Sequence, residues 1–511
     1  METTIKSGGM PGRQRQFGVF GIGAGIFLRL LAISHGIAFG SAWVQLAGLV
    51  GPHGLLPAAR FFAAVHEQLG SGAWLQVPSL CLVFGSGAFL QVLCAAGLGL
   101  AVLVFCGIAP ALCLALLWAC YLSLVCAGQI FFDFQWDALL LETTLAAIFL
   151  APWSLLPGWR PENPPRLARG VAWWLLFRLM FLSGIVKLAS GDPNWRHLTA
   201  LSFHYQTQPL PTPLAWYAQQ LPGWFQRLSC GVMFAIELAA PFGIIGPRAI
   251  RHAAAASLIG LQAAIALTGN YTFFNLLAVA LCVACFDDES WRRLASGIGL
   301  KPGPAPGSAP GPASVPARAG VVRMGLLRGF AAVAFFCTTI EAVADFSPLL
   351  ASAPAVGRLV GAIAPFRSLN NYGLFAVMTT ERPELVIEGS DDGRDWLEYE
   401  LPHKPGNLGR RPDFVAPNQP RLDWQLWFAA LAPAEANPWV GTLCERLLRN
   451  DPAVLGLFAR NPFPVHPPHS IRVVRYRYEF TNFAEKAKTG NWWRRTPLDF
   501  YIQPVELLST R

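Results

Sequence analysis

Long apolar blocks recur along most of this chain, and they constrain it more than any other feature. A run of about twenty apolar residues finds its stable solvent in the hydrocarbon core of a bilayer. Residues 17–39 form the first block, too long for a signal-peptide core and without a small-residue cleavage site behind it, so it reads as a retained span. Further blocks lie at 80–106, 109–127, 130–151, 171–189 and 228–246. The run 253–286 is too long for one comfortable crossing. Divided at Gly269 and Asn270, it gives spans at 253–268 and 271–286, and a last one covers 321–345. Only 14% of the 511 residues are charged, against about 25% in a typical soluble domain. The expected fold is a polytopic α-helical membrane bundle of about nine spans, residues 1–298 plus the last span, followed by a soluble β-rich α+β domain at 365–511.

The net charge of +9 is spread between the apolar blocks rather than gathered on one element, which argues against a nucleic-acid partner. It is better read as loop charge. Arg13 and Arg15 precede the first block; Arg160, Arg166 and Arg169 follow the fourth; Arg248 and Arg251 follow the sixth; Arg292 and Arg293 follow the eighth. With the N-terminus inside, all of these fall on the cytoplasmic side, and the loop 190–227 and everything after Val343 fall on the outer side. A single tilted span over 253–286 would instead turn the C-terminal region inward.

Residues 299–320, with six prolines and five glycines, read as a solvated linker. From about Pro365 the composition changes, charges become frequent and period-two runs appear. ELVIEG from Glu384 and WLEYEL from Trp396 flank the turn SDDGR at 390–394, a hairpin signal. IRVVRYRYEF from Ile471 reads as a strand with one basic face, and 422–431 and 439–449 read as helices, with a further turn of helix after Pro452.

Ten of the eleven cysteines fall in or beside apolar blocks, and only Cys444 lies in the soluble region, so that region holds no internal disulfide. Cys282 and Cys285 have dithiol spacing but lack the cation or helix N-terminus that would activate a thiol. More informative are charges inside the spans, each of which needs a partner, water or a function. These are Arg29 in the first span, Asp133, Asp137 and Glu142 in the fourth, and Arg178 and Lys187 in the fifth. Asp133 and Asp137 are placed on one helix face by their spacing. The group suggests interhelical ion pairs that fix register, or a polar chamber that binds a substrate or relays protons. The outer loop from Ser190 carries Asp192, Trp195, Arg196, His197, His204, Tyr205 and Gln208 on a proline-stiffened backbone, the makings of a recognition surface. A zinc site on His197 and His204, seven apart, would need a further ligand, for which Asp192 is the candidate, and structural histidines are the plainer reading. Core packing is the plain reading of Trp424, Trp427, Trp492 and Trp493. No phosphate loop, dinucleotide fingerprint, lipase-type GxSxG or HExxH motif is present, so no cofactor, metal or catalytic residue is assigned.

GDPNWRHLTALSFHYQTQPLPTPLAWYAQQLPGWFQRL from Gly191 resembles the signature of the lipase maturation factor family, as do FDFQWDALLLET at 132–143 and NNYGLFAVMTTERPELVIEGSDDG from Asn370. Similar strings continue through Lys404–Gly406, Arg410–Pro412, PRLDWQLWFAAL from Pro420, NPWV, ARNPF and WWRR. The resemblance implies a multi-spanning, non-enzymatic factor that helps secreted lipases or other exported clients fold. In animals it sits in the endoplasmic reticulum membrane with its C-terminal domain on the lumenal face. The Gly/Pro/Ala linker hints at a bacterial source, for which the plasma membrane and the periplasm would take those places. Residue by residue, the resemblance points to Asp192, Trp195, Arg196, His204, Tyr205 and Gln208, and to Arg410, Arg411, Asp423, Trp424 and Trp427, for client recognition or for holding the domain together. A membrane enzyme built on the charged chamber is the competing expectation. A transporter is disfavoured, because no inverted repeat is visible.

Overall fold

The computed structural model describes residues 19–157, 163–299 and 317–507. Most of the linker expected at 299–320, and Arg13, Arg15 and Arg160, lie outside the described residues. Among the described residues, nine helices run through the bundle: α1 (Gly21–Trp43), α2 (Gly87–Cys106), α3 (Pro110–Gly128), α4 (Gln135–Leu150), α5 (Arg166–Ala189), α6 (Gly223–Gly243), α7 (Arg248–Thr268), α8 (Phe274–Val283) and α9 (Ala317–Ala344). Among the described residues six stretches are long and apolar enough to cross a bilayer: α1, α2, α3 with the turn after it, α5, α7 and α9. The other three do not meet that standard; α4 has 16 residues and α8 has 10, while α6 is long enough but too polar.

The breaks have local causes. Between α3 and α4 the backbone turns through Gln129, whose φ is +49°, and a short 3-10 turn, Gln129–Phe132. Asp133 therefore lies in the connection and not on α4, so the shared helix face expected of Asp133 and Asp137 does not exist. The block at 80–106 is likewise two pieces, because Gly85 takes a φ of +76° between a single turn and α2. Between α7 and α8 the chain reverses at Gly269 and Asn270.

After α9, residues 382–506 build a four-stranded antiparallel sheet of order β2-β1-β3-β4: β1 (Arg382–Ser390), β2 (Leu397–Tyr399), β3 (Ser470–Phe480) and β4 (Trp493–Glu506). The β1–β2 hairpin has Ile387 opposite Tyr399, and β1 runs against β3 from Arg382–Tyr478 to Ser390–Ser470. α10 (Arg421–Ala430) and α11 (Trp439–Leu448) lie between β2 and β3 in sequence. One apolar cluster runs from Phe27, Phe39 and Leu114 in the bundle through Trp136 and Phe273 to Trp424, Leu443 and Val473 in the C-terminal region. The two parts thus share a core.

The helices alternate in direction, so each bundle face collects a defined set of ends. On one face Ser41 and Gln45 bond to Gln419, Gln425 to the carbonyl of Ile130, and Asn270 to the carbonyl of Asp413. The C-terminal region sits here. On the opposite face Phe20 bonds to Asn163, Ile22 to Asp288, and Arg323 to the carbonyls of Phe149 and Ala151. Arg169, Arg248 and Arg251 lie here too.

Candidate functional site

The charges singled out inside the spans do not form one chamber. They pair in four separate places, mostly with partners outside the set. Asp137 is met by Arg421 of α10, whose Nη1 and Nη2 donate to the two carboxylate oxygens at 3.1 and 3.0 Å. Nη1 also donates to the carbonyl of Phe131 at 2.6 Å, and the guanidinium lies 3.3 Å over the Phe132 ring. Tyr121 donates to Asp137 from α3. Glu142 and Arg178 do pair across α4 and α5, as expected of interhelical ion pairs. The same carboxylate accepts from the Asn370 amide at 3.1 Å, the Asn370 side chain at 3.2 Å and the Tyr372 hydroxyl at 2.8 Å. Arg178 also donates to the carbonyl of Asn370 at 2.7 Å. Lys187 bonds to both oxygens of Glu237 on α6, at 2.9 and 2.7 Å, and lies 5.4 Å from the Trp195 ring centre. Asp133 pairs with Arg367 near the surface. Arg29 lies at the other end of the bundle, donating to the carbonyl of Gly25 at 3.1 Å.

The outer loop is similarly occupied. Asp192 caps the short helix Pro193–Arg196 by accepting from Asn194 and also accepts from the amide of Met378. Trp195 is buried and donates to the carbonyl of Phe375 at 2.9 Å. His204 shares a hydrogen bond with the Tyr271 hydroxyl at 3.2 Å; burial first, and then the Lys187 charge, push its pKa down to about 4. Gln208 donates to the carbonyl of Thr268 at 2.8 Å and accepts from Tyr271 at 2.9 Å. Tyr205 packs beside Trp216, Tyr478 and Trp493. Arg196 and His197 stay exposed.

The C-terminal region grips this loop through Arg382. That side chain is fully buried, and it donates to the carbonyls of Gln206, Gln208 and Pro209. Glu384 neutralises it at 2.6 Å and is itself met by Lys404 at 2.6 Å. Trp427 donates to the carbonyl of Thr207 at 3.0 Å, and Trp424 packs against Phe134, Trp136 and Tyr271. Asp423 accepts from the amides of His403 and Lys404 at 2.9 and 2.7 Å, and burial raises its pKa. Arg410 donates to the carbonyls of Leu401 and Lys404, while Arg411 is exposed at the rim of a shallow basic depression with His403 and Trp493. Asn270 completes the junction, accepting from the amides of Val415 and Ala416 at 2.7 and 2.9 Å.

Of the eleven positions marked by family strings, seven thus join loop, span ends and sheet, Arg410 and Asp423 bond within the C-terminal region, and Arg196 and Arg411 stay exposed. The residues missed were Glu237, Asn270, Arg367, Arg382 with Glu384 and Lys404, and Arg421. Glu237 stood inside an apolar block, where the rule applied to the other charges would have found it. The rest required knowing that the C-terminal region docks on the span ends. Among the described residues no three His, Cys, Asp or Glu side chains gather as a metal site requires.

The family description "Lipase maturation factor transmembrane domain" matches residues 23–293, and "Lipase maturation factor C-terminal domain" matches residues 368–503. The chain is 36% identical to Lipase maturation factor 2 of Homo sapiens, across 94% of this chain and 82% of that protein. It is 33% identical to Lipase maturation factor 2 of Gallus gallus, across 94% and 81%, and 34% identical to Lipase maturation factor 1 of Bos taurus, across 98% and 92%. No solved structure matches.

Proposed function

Because the chain belongs to the lipase maturation factor family, we propose that it is a membrane-embedded factor that brings secreted lipases to their folded, active form. The observation that carries the reading is the continuous match through both the membrane part and the C-terminal region. The role is non-catalytic. In support, the two buried acids of α4 are committed: Glu142 holds four donor groups and Asp137 holds a bidentate arginine and a tyrosine. A general acid needs an open side toward its substrate.

In this reading the bundle crosses the membrane nine times. The basic face lies in the cytoplasm, and the C-terminal region and the 190–227 loop face the compartment where clients fold. That compartment is the lumen of the endoplasmic reticulum in an animal cell and the periplasm in a bacterium. The seam residues hold loop and sheet in one rigid body, and the client is met by side chains that project from it, Arg196 and Arg411 first. A photo-crosslinking side chain placed at 196 or 411 captures an unfolded secreted lipase. The same group at 195 or 427, if the protein still folds, captures none. Equal capture from the buried and exposed positions would remove this division of roles.

A further inference from the structure

Two helix N-termini on the basic face of the bundle converge on one pair of aromatic rings. α5 opens after Pro165 with Arg166 and Arg169 in its first turn, and α7 opens after Pro247 with Arg248 and Arg251. Neither first turn holds an acidic residue, and neither N-cap side chain bonds the free amides. A helix N-terminus carries the positive end of the macrodipole and favours anions, so arginines there are set against the local field.

The Arg169 side chain makes the mismatch acute. It is 8% exposed, its guanidinium lies 4.0 Å over Phe20 and 5.8 Å from the Trp173 ring, and its Nε and Nη1 are buried and meet no hydrogen-bond acceptor among the described residues. Arg251 approaches the same two rings at 5.3 and 5.5 Å. Its own donors reach the carbonyls of Cys285 at 3.0 Å and Gly246 at 3.4 Å. The carboxylate facing it, Asp287, stands 3.9 Å from Arg251, is already bound to Arg248 at 2.6 Å, and has His252 at 3.6 Å. Asp288 accepts from the amide of Ile22 at 2.8 Å. Two guanidinium groups therefore share one aromatic floor, and one of them is buried with open donors, an arrangement that costs free energy until an anion completes it.

We propose that Arg169 and Arg251, with the N-termini of α5 and α7, form a site for the phosphate group of an anionic phospholipid. A guanidinium fork matches two phosphate oxygens, and basic pockets between spans at the cytoplasmic surface are where such headgroups bind. Apolar surface for the acyl chains lies beside it: Ile245 is 78% exposed and Ile250 is 55% exposed, on either side of Arg248 in sequence.

The test uses the full chain in detergent, titrated with phosphatidylglycerol, phosphatidylcholine or inorganic phosphate and read by native mass spectrometry. The wild type retains phosphatidylglycerol in preference to phosphatidylcholine, and excess inorganic phosphate leaves that lipid in place. Arg169→Gln and Arg251→Gln each weaken retention roughly tenfold or more, the scale of one hydrogen bond to a charged group. Arg169→Lys, which keeps the charge and loses the fork, gives an intermediate loss and serves if the glutamine variant does not fold. Folded variants that hold phosphatidylglycerol as tightly as the wild type would overturn the site. Displacement by inorganic phosphate alone would overturn its assignment to a lipid.

Discussion

Arg421 is the deepest point at which the C-terminal region enters the bundle, and its removal gives a prediction with a definite size. The side chain is fully buried, and its partner Asp137 is 1% exposed. It spans α10, the turn after α3 and α4 by donating to Phe131, Asp137 and Tyr121. Truncating one partner of a buried pair leaves the other charge without compensation, which costs about 3–5 kcal/mol. Arg421→Met should therefore destabilise the folded chain by about that amount, and Asp137→Leu by a similar amount. The double variant removes both charges together. It should recover most of the loss, leaving a coupling of at least roughly 2 kcal/mol between the two positions, because a pair replaced by apolar groups is close to neutral. Denaturant titration of the purified protein, followed by proteolysis of the C-terminal region, measures all three variants. Single variants that cost less than about 1 kcal/mol, or a double variant whose loss is the plain sum, would show that the pair does not dock the two parts.

Three further outcomes follow from the same geometry. Lys187→Met should destabilise by about 3 kcal/mol through the abandoned Glu237, with Glu237→Leu in the same chain restoring much of it, measured by the same titration. Trp427→Phe keeps an aromatic side chain but loses the indole N–H and part of the buried volume, stranding the carbonyl of Thr207, so its cost should be at least about 1–2 kcal/mol, with faster proteolysis between the loop and α10. His204 is held neutral in the fold, with a pKa of about 4, whereas an unfolded histidine titrates near about 6.5. The unfolded state thus binds the extra proton first. The contribution of His204 to stability is full above about 6.5 and is lost progressively as the pH falls toward about 4. His204→Gln should flatten that part of the pH–stability curve, and an unchanged slope would exclude His204 as its source.

Much of the architecture was legible because apolar length and turn chemistry are local signals. The β1–β2 hairpin, β3, α10 and α11 could be read from alternation and from the Asp-Asp-Gly turn. β4 was not read as a strand, because Pro497 and Pro504 interrupt its pattern; as an edge strand paired only with β3 it tolerates them. The charged residues were correctly marked as needing partners, yet only Glu142 and Arg178 found each other. Asp137 waits for an arginine 284 positions away, and no periodicity within α4 encodes that distance. The outer loop read as a recognition surface since aromatic and histidine side chains are the same residues that serve recognition and dense packing. Burial of Trp195 and Gln208 depends on Arg382, Phe375 and Thr268, which arrive from other parts of the chain.

The central claim is that this chain acts on secreted lipases through a C-terminal region docked rigidly on the bundle. The direct measurement is the activity of secreted lipase per amount of secreted lipase protein in the chain's own host, with the gene deleted and then restored. Deletion should lower that ratio and the wild type should restore it. Arg196→Ala combined with Arg411→Ala should fail to restore it while accumulating as a folded, inserted protein. A ratio unchanged by deletion would contradict the account.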